Sequence, residues 1–110
     1  MPTYHKLVRD RIPEIIAAGG QRCRTVILDE EAYRQELRRK YQEEAAEYLA
    51  AGTAEEALEE LADLLEVVRA LAVVHGASWE QLEATRMKKA EARGAFQRRI
   101  LLVDVDEAPH

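Results

Sequence analysis

Two pairs of acidic residues in the middle of the sequence have a spacing that suits metal chemistry. Each pair consists of two carboxylates three positions apart, and the pairs are Glu44 with Glu47 and Glu60 with Asp63. On a helix, residues three apart lie on one face, so each pair would present both carboxylates to the same neighbour. Carboxylate oxygens are preferred ligands of Mg²⁺ and Mn²⁺. If the two pairs meet, they predict a divalent metal site with positions left for water and phosphate oxygens.

Two long helices are predicted to carry these pairs. The first covers residues 30–51 after the N-cap Asp29, and Gly52 ends it. Thr53 then caps the second helix, which runs to about His75. A turn this short predicts an antiparallel hairpin. At a rise of about 1.5 Å per residue, the acids lie roughly 8 to 13 Å from the turn on the first helix and roughly 11 to 16 Å on the second, so they are nearly level.

Both pairs lie on or beside the apolar side of their helix when the residues are placed on a wheel at about 100° each. Glu44 falls in the middle of the first apolar arc and Glu47 at its edge, whereas the second pair lies at one side of the second stripe. The arc consists of Tyr33, Leu37, Tyr41, Ala45 and Tyr48. The stripe consists of Ala57, Leu61, Leu64, Leu65, Val68, Leu71 and Ala72, widened on the acidic side by Val67 and Val74. Burying a carboxylate without a counter-charge is costly, so converging acids require a cation or a network of bases.

Shorter elements are predicted on the N-terminal side of this hairpin. Residues 5–20 indicate an extended lead and then a short helix, with Asp10 as a candidate cap and Gly19-Gly20 as the stop. Residues 21–29, QRCRTVILD, are apolar and β-branched enough for a brief strand or an extended arm.

On the C-terminal side, Ser78 is predicted to cap a helix from about Trp79 to Arg93, and residues 96–105 indicate a strand or an extended tail. The expected fold is therefore all-α, one domain over residues 1–110, built from a hairpin with shorter N- and C-terminal helices and short extended arms. One hairpin leaves broad apolar surface uncovered. We therefore expect a homodimer or higher homo-oligomer in which two hairpins form a four-helix core.

The distribution of charge favours a protein that gathers cations centrally. The net charge is −5, but residues 29–66 hold thirteen acids against four bases, which leaves the rest of the chain basic. This central field and the lack of interleaved aromatic residues argue against a nucleic-acid partner. The single cysteine, the absence of a long apolar stretch and an N-terminus without an apolar signal-peptide core predict a cytoplasmic protein without a membrane partner.

Four stretches of the sequence carry a family resemblance. KYQEEAAEYL and EELAD hold the two acidic pairs, while YHKLVRDRIPEII lies near the start and KAEARGAFQRRILL near the end. The first two match a Glu-x-x-Glu, spacer, Glu-x-x-Asp signature, and the chain as a whole resembles the MazG-like and phosphoribosyl-ATP pyrophosphohydrolase superfamily of all-α nucleoside triphosphate pyrophosphatases. It departs from the usual pattern at Arg11, where lysine is common, and at Ala95, where a second glycine often follows Arg-Gly.

The resemblance implies a Mg²⁺-dependent enzyme, with Mn²⁺ as an alternative ion, that hydrolyses a nucleoside triphosphate to a monophosphate and pyrophosphate in nucleotide house-cleaning. It assigns metal ligation and catalysis to the four acids Glu44, Glu47, Glu60 and Asp63. Bases are then needed for the phosphate charge that metal leaves uncovered. The candidates are Lys40, one turn before Glu44; Lys89 and Arg93, which share a face of the last helix; and Lys6 and Arg9 near the N-terminus.

Other functions stay open at this point. The same fold is compatible with the phosphoribosyl-ATP step of histidine synthesis, or with a non-catalytic helical dimer that binds metal or nucleotide. The acidic residues are also compatible with ordinary solvated helix faces stabilised by pairs four residues apart.

Overall fold

The computed structural model describes residues 5–106, which form four helices and no strand. The helices are α1 (Ile12–Ala18), α2 (Glu30–Ala50), α3 (Ala54–Val74) and α4 (Trp79–Arg93). The all-α prediction is thus confirmed over this range, while residues 1–4 and 107–110 of the predicted domain lie outside the described residues. No helix in the described part of the chain combines the length and the apolar character needed to cross a bilayer.

Side-chain caps fix the starts of the three longer helices. Asp29, Thr53 and Ser78 each accept a hydrogen bond from the backbone N–H three residues further on, at 2.8, 3.1 and 3.1 Å. The backbone N–H of Ser78 also donates a hydrogen bond to the side-chain oxygen of Gln81, which completes a capping box. Each cap satisfies an otherwise unpaired donor and contributes about 1 kcal/mol. The predicted caps of these helices are confirmed.

The start of α1 differs from the prediction. Its N-cap is Arg11, no side chain accepts a capping bond, and the prediction that Asp10 caps this helix is wrong. The chain enters α1 through a turn in which the Ile12 N–H bonds to the Arg9 carbonyl at 3.0 Å. Proline in the first turn of α1 has no N–H, so one donor that a cap would satisfy is missing.

The two segments for which a strand or an extended arm was predicted form no strand in the described chain, and the second one begins with a turn at residues 97–98. Residues 21–28 and 100–106 have no regular secondary structure, and no ladder pairs either segment with another described residue. A strand needs a neighbour for its backbone groups, and neither segment has one within the described chain.

Most helix-to-helix packing joins α2 to α3, which are separated by residues 51–53; α4 contacts α3 only, among the described helices. Near its start α4 packs on α3, where the Arg69 guanidinium lies 5.1 Å from the centre of the Trp79 ring. The described apolar core is small, consisting of Leu37, Val67 and Ala72.

The buried face of α3 is rotated from the predicted one. Leu61 and Leu65 were expected in the core stripe, but in the single chain they are 43% and 49% exposed. Val67, on the edge of the predicted stripe, is instead 8% exposed. Because Glu60 lies two turns before Val67 on the same side, the face that meets α2 is the face that carries carboxylates.

Candidate metal centre

Three carboxylates from two helices converge between α2 and α3. Glu44 and Glu47 of α2 and Glu60 of α3 each offer an oxygen, and these oxygens lie within 4.8 Å of one another. Glu44 is buried, Glu60 half-buried and Glu47 exposed, so the group has a dry inner side and an open outer side. Two ligands opposite each other on Mg²⁺ would lie at most about 4.2 Å apart. Any pair of oxygens near the 4.8 Å limit would therefore have to move closer for all three to bind one ion.

The inner side of this cluster holds polar atoms without partners. Glu44 Oε2 and Glu60 Oε2 are both buried, and neither has a hydrogen-bond partner among the described residues. A buried acceptor that leaves water without gaining a new bond loses its solvation, and such atoms are few in folded proteins. An oxygen-binding cation between the helices would satisfy both atoms, so the donor set fits a hard divalent metal.

Burial and mutual repulsion change the protonation of the cluster. The pKa of Glu44 is raised to about 7, first by burial and then by Glu47 and Asp63, while Lys40 opposes the rise. The pKa of Glu60 is also raised, again first by burial and then by Glu47 and Asp63. In the metal-free chain at neutral pH, Glu44 therefore holds a proton part of the time. A divalent cation would compete for the same oxygens, so metal binding is expected to release protons.

Asp63 lies close enough to affect these two pKa values but is not one of the three converging carboxylates. Its Oδ1 accepts a hydrogen bond from the Arg9 guanidinium at 2.7 Å. Both side chains are partly exposed, at 57% for Arg9 and 43% for Asp63, so the pair can exchange for other partners at little cost. The role of Asp63 as a metal ligand stays a prediction.

Two lysines meet a glutamate that the sequence analysis did not single out. Glu43 Oε1 accepts from Lys6 Nζ at 3.2 Å, and Lys40 Nζ lies 3.8 Å from the same oxygen. Lys40 also lies 3.7 Å from Glu44 Oε1, so this lysine joins the half-buried Glu43 to the buried cluster. The spacing of three between Lys40 and Glu43 was a usable signal for that pair. Nothing local could have indicated the contact with Lys6, 37 positions away.

A groove lined by charged side chains lies beside the carboxylates. It has a volume of about 200 Å³ and is lined by His5, Lys6, Leu7, Glu36, Arg39, Lys40 and Glu43. Lys40 belongs to both the groove and the surroundings of Glu44, so the groove opens next to the cluster. Together, the acids offer oxygens to a cation while the lysines offer positive charge to an anion.

The remaining predicted phosphate ligands lie on α4. Lys89 and Arg93 are exposed, and within residues 5–106 neither forms an ion pair. No hydrogen bond or ion pair between residues 5–106 links these two bases to the carboxylate cluster. Their predicted role stays untested.

Comparisons of the chain with protein families, with curated proteins and with solved structures find no match in any of the three. The resemblance to the MazG-like and phosphoribosyl-ATP pyrophosphohydrolase superfamily therefore depends on the sequence motifs alone and stays a prediction.

Proposed function

We propose that this protein is a metal-dependent nucleotide pyrophosphohydrolase of the cytoplasm, which converts a nucleoside triphosphate or a related nucleotide to a monophosphate and pyrophosphate. The observation that supports the proposal best is the convergence of Glu44, Glu47 and Glu60, in which two buried oxygens have no hydrogen-bond partner among the described residues. A solvated helix face does not have these features. A carboxylate site beside lysines suits a substrate that brings phosphate oxygens to a metal.

Glu44, Glu47 and Glu60 would hold Mg²⁺ or Mn²⁺, and Asp63 would join them on leaving Arg9. When bound, the metal supplies charge neutralisation at the phosphates and a lowered pKa of coordinated water. Lys40 would bind phosphate oxygens at the edge of the cluster. Lys40 is a residue of α2, and its ammonium group lies within 4 Å of the carboxylates of Glu43 and Glu44.

The other basic residues would complete the phosphate site. Lys6 and Arg9 approach from the segment before α1, where both contact acids of the α2 and α3 pair. These exposed ion pairs are weak, so a polyphosphate could displace the carboxylates from the two bases. Lys89 and Arg93 would contribute from α4.

The architecture that goes with this function is a homodimer. In the proposed arrangement α2 and α3 form an antiparallel hairpin, and two hairpins build a four-helix core. Such a core would cover apolar side chains on α2 that are exposed in the single chain, among them Tyr41 at 43% and Tyr48 at 38%.

Pyrophosphate release tests the proposal. The wild type is assayed with normal and altered nucleoside triphosphates and with phosphoribosyl-ATP, in Mg²⁺, in Mn²⁺ and in a chelator. Chromatography of the nucleotide product separates cleavage after the α-phosphate from loss of the terminal phosphate. We expect a metal-dependent monophosphate product, and the nucleotide with the highest kcat/KM distinguishes house-cleaning from histidine synthesis.

Two matched variants report on the site. Glu44→Gln removes one charge and keeps the side-chain size, so kcat/KM should fall by at least about 100-fold, or roughly 2.7 kcal/mol of transition-state stabilisation. Glu66→Gln is the same change at an exposed position of α3 and should leave the rate within about twofold. Equal rates for wild type and Glu44→Gln would disprove the assigned roles. Tight nucleotide binding without any product would instead favour a non-catalytic binding protein.

A further inference from the structure

The single chain is far more extended than a folded monomer of its length. Its radius of gyration is 19.4 Å and its extents are 72 × 35 × 23 Å, whereas a compact domain of this length has a radius of about 13 Å. Its accessible surface is 10436 Å² for a mass of 12.5 kDa, whereas a folded monomer of that mass exposes about 6,200 Å². The excess is roughly 4,000 Å².

The size of this excess matches the needs of an obligate dimer. The eight terminal residues outside the described range would add about 1,300 Å² even if fully extended. At least roughly 2,500 Å² of surplus surface therefore belongs to the described residues. An obligate homodimer interface buries about 2,000 to 5,000 Å² in total, or half of that from each copy. A second copy of the chain is thus a sufficient occupant for the uncovered surface.

Much of the surplus lies in residues 96–105, which we call the C-terminal arm. Its exposed apolar side chains are Phe96 at 97%, Ile100 at 72%, Leu101 at 85%, Leu102 at 74%, Val103 at 84% and Val105 at 69%. Its described backbone makes one turn bond, from the Arg99 N–H to the Phe96 carbonyl, and no other backbone bond within residues 5–106. An exposed apolar segment whose backbone makes few bonds within the described chain favours docking on another surface.

A receiving surface lies on α3, and we call it the leucine stripe. It consists of Leu58, Leu61 and Leu65, which are 69%, 43% and 49% exposed. Their spacing of three and four places them on one face of the helix. Ala72, two turns beyond Leu65 on that face, is buried where the chain turns towards α4. The exposed part of this face is therefore the part nearer the start of α3, which holds the leucine stripe.

The charges beside the two surfaces are complementary. Arg98 and Arg99 directly precede the apolar run of the arm. Glu55 and Glu59, one turn apart on α3, flank the leucine stripe. None of these four residues forms an ion pair with another residue of the described chain. Apolar contact and charge therefore favour the same pairing of surfaces.

We propose that the C-terminal arm of each copy packs on the leucine stripe of a second copy, so that two arms are exchanged in a symmetric homodimer. The symmetry requires each copy to give one arm and to receive one, which accounts for the exposure of both surfaces in the single chain. This interface does not depend on the proposed catalytic function.

Sedimentation equilibrium of the full chain at micromolar concentration tests the apolar contact. The wild type is expected to be a dimer. Leu101→Asp combined with Val103→Asp would place two charges in the contact and should weaken dimerisation by at least about 100-fold, with unchanged helical circular dichroism. Asp104→Asn, a change in the same segment that removes no apolar group, should remain dimeric.

Charge reversal tests the pairing independently of folding. Arg98→Glu with Arg99→Glu, and separately Glu55→Arg with Glu59→Arg, should each weaken the dimer about tenfold or more, whereas all four changes in one chain should restore it. Three results would each overturn the inference. The wild type is a monomer, the Leu101 and Val103 changes leave the dimer intact, or the variant with all four charge changes does not recover dimerisation. A monomer that binds anionic phospholipid vesicles through Leu101 and Val103 would assign the arm to a lipid surface instead.

Discussion

The buried carboxylate at position 44 should make the metal-free protein less stable as the pH rises. The pKa of Glu44 is raised from 4.5 to about 7, chiefly by burial. At about 1.36 kcal/mol per pKa unit, this difference corresponds to about 3 kcal/mol between the protonated and ionised forms in the folded chain. Because the folded state binds this proton more tightly than the unfolded state, the stabilisation is fully present below pH 4.5 and is lost as the pH rises through 7.

Glu44→Gln isolates that contribution. Glutamine resembles the protonated acid in shape and does not ionise, so the variant should lack this part of the pH dependence. In a chelator at pH 8, Glu44→Gln should be more stable than the wild type by up to about 3 kcal/mol, and the difference should largely vanish near pH 4.5. Subtracting the variant from the wild type cancels the titrating groups that do not interact with Glu44.

Urea unfolding followed by circular dichroism measures this difference at a fixed protein concentration. Adding Mg²⁺ or Mn²⁺ at pH 8 should stabilise the wild type, by about 2.7 kcal/mol at one hundred times the dissociation constant, and stabilise Glu44→Gln much less. Glu66→Gln should follow the wild type in every condition. Two results would refute the reasoning. The stability of the wild type does not fall relative to Glu44→Gln between pH 4.5 and 8, or metal stabilises both proteins equally.

Three further changes test the packing around the cluster. Leu37→Ala empties a position that is 4% exposed and should lower the free energy of unfolding by about 2 to 4 kcal/mol in urea titrations. Thr53→Ala removes the cap of α3 and should cost about 1 kcal/mol in the same assay; no loss would show that the 3.1 Å bond contributes little. Arg9→Ala breaks a partly exposed ion pair and should change stability by less than about 1 kcal/mol. By freeing Asp63 it should also tighten Mn²⁺ binding severalfold in isothermal titration calorimetry, whereas unchanged affinity would place Asp63 outside the metal site.

Local chemistry is the part of this fold that the sequence predicts well. The starts of α2, α3 and α4 follow from Asp29, Thr53 and Ser78, because each cap bonds to a backbone donor three residues away. The failed cap at Asp10 is also local. There a turn into Pro13 competes with the cap, and residue preference alone does not decide between them.

Contacts between distant residues are harder to predict. Arg9 and Asp63 are 54 positions apart and form a hydrogen bond that no periodicity indicates. A helical wheel identifies the apolar side of α3 but does not show which part of that side packs against α2. In the structure the part that carries carboxylates packs against α2, so Val67 is buried and Leu61 is exposed. The convergence of Glu44, Glu47 and Glu60 could be predicted from the sequence, because the short turn between the helices fixes how far each acid lies from the end of its helix.

The cost of Glu44 is itself an argument for a ligand. Leucine or glutamine at a position that is 6% exposed would avoid the desolvation of a carboxylate, and replacing a buried charge by a neutral side chain of similar size is often stabilising. A helix pair selected only for stability would therefore not keep Glu44 Oε2 and Glu60 Oε2 buried without a hydrogen-bond partner among the described residues. A variant that gains stability without metal and loses its response to metal would tie both effects to one side chain. A purely structural carboxylate would give the gain in stability without any change in the response to metal.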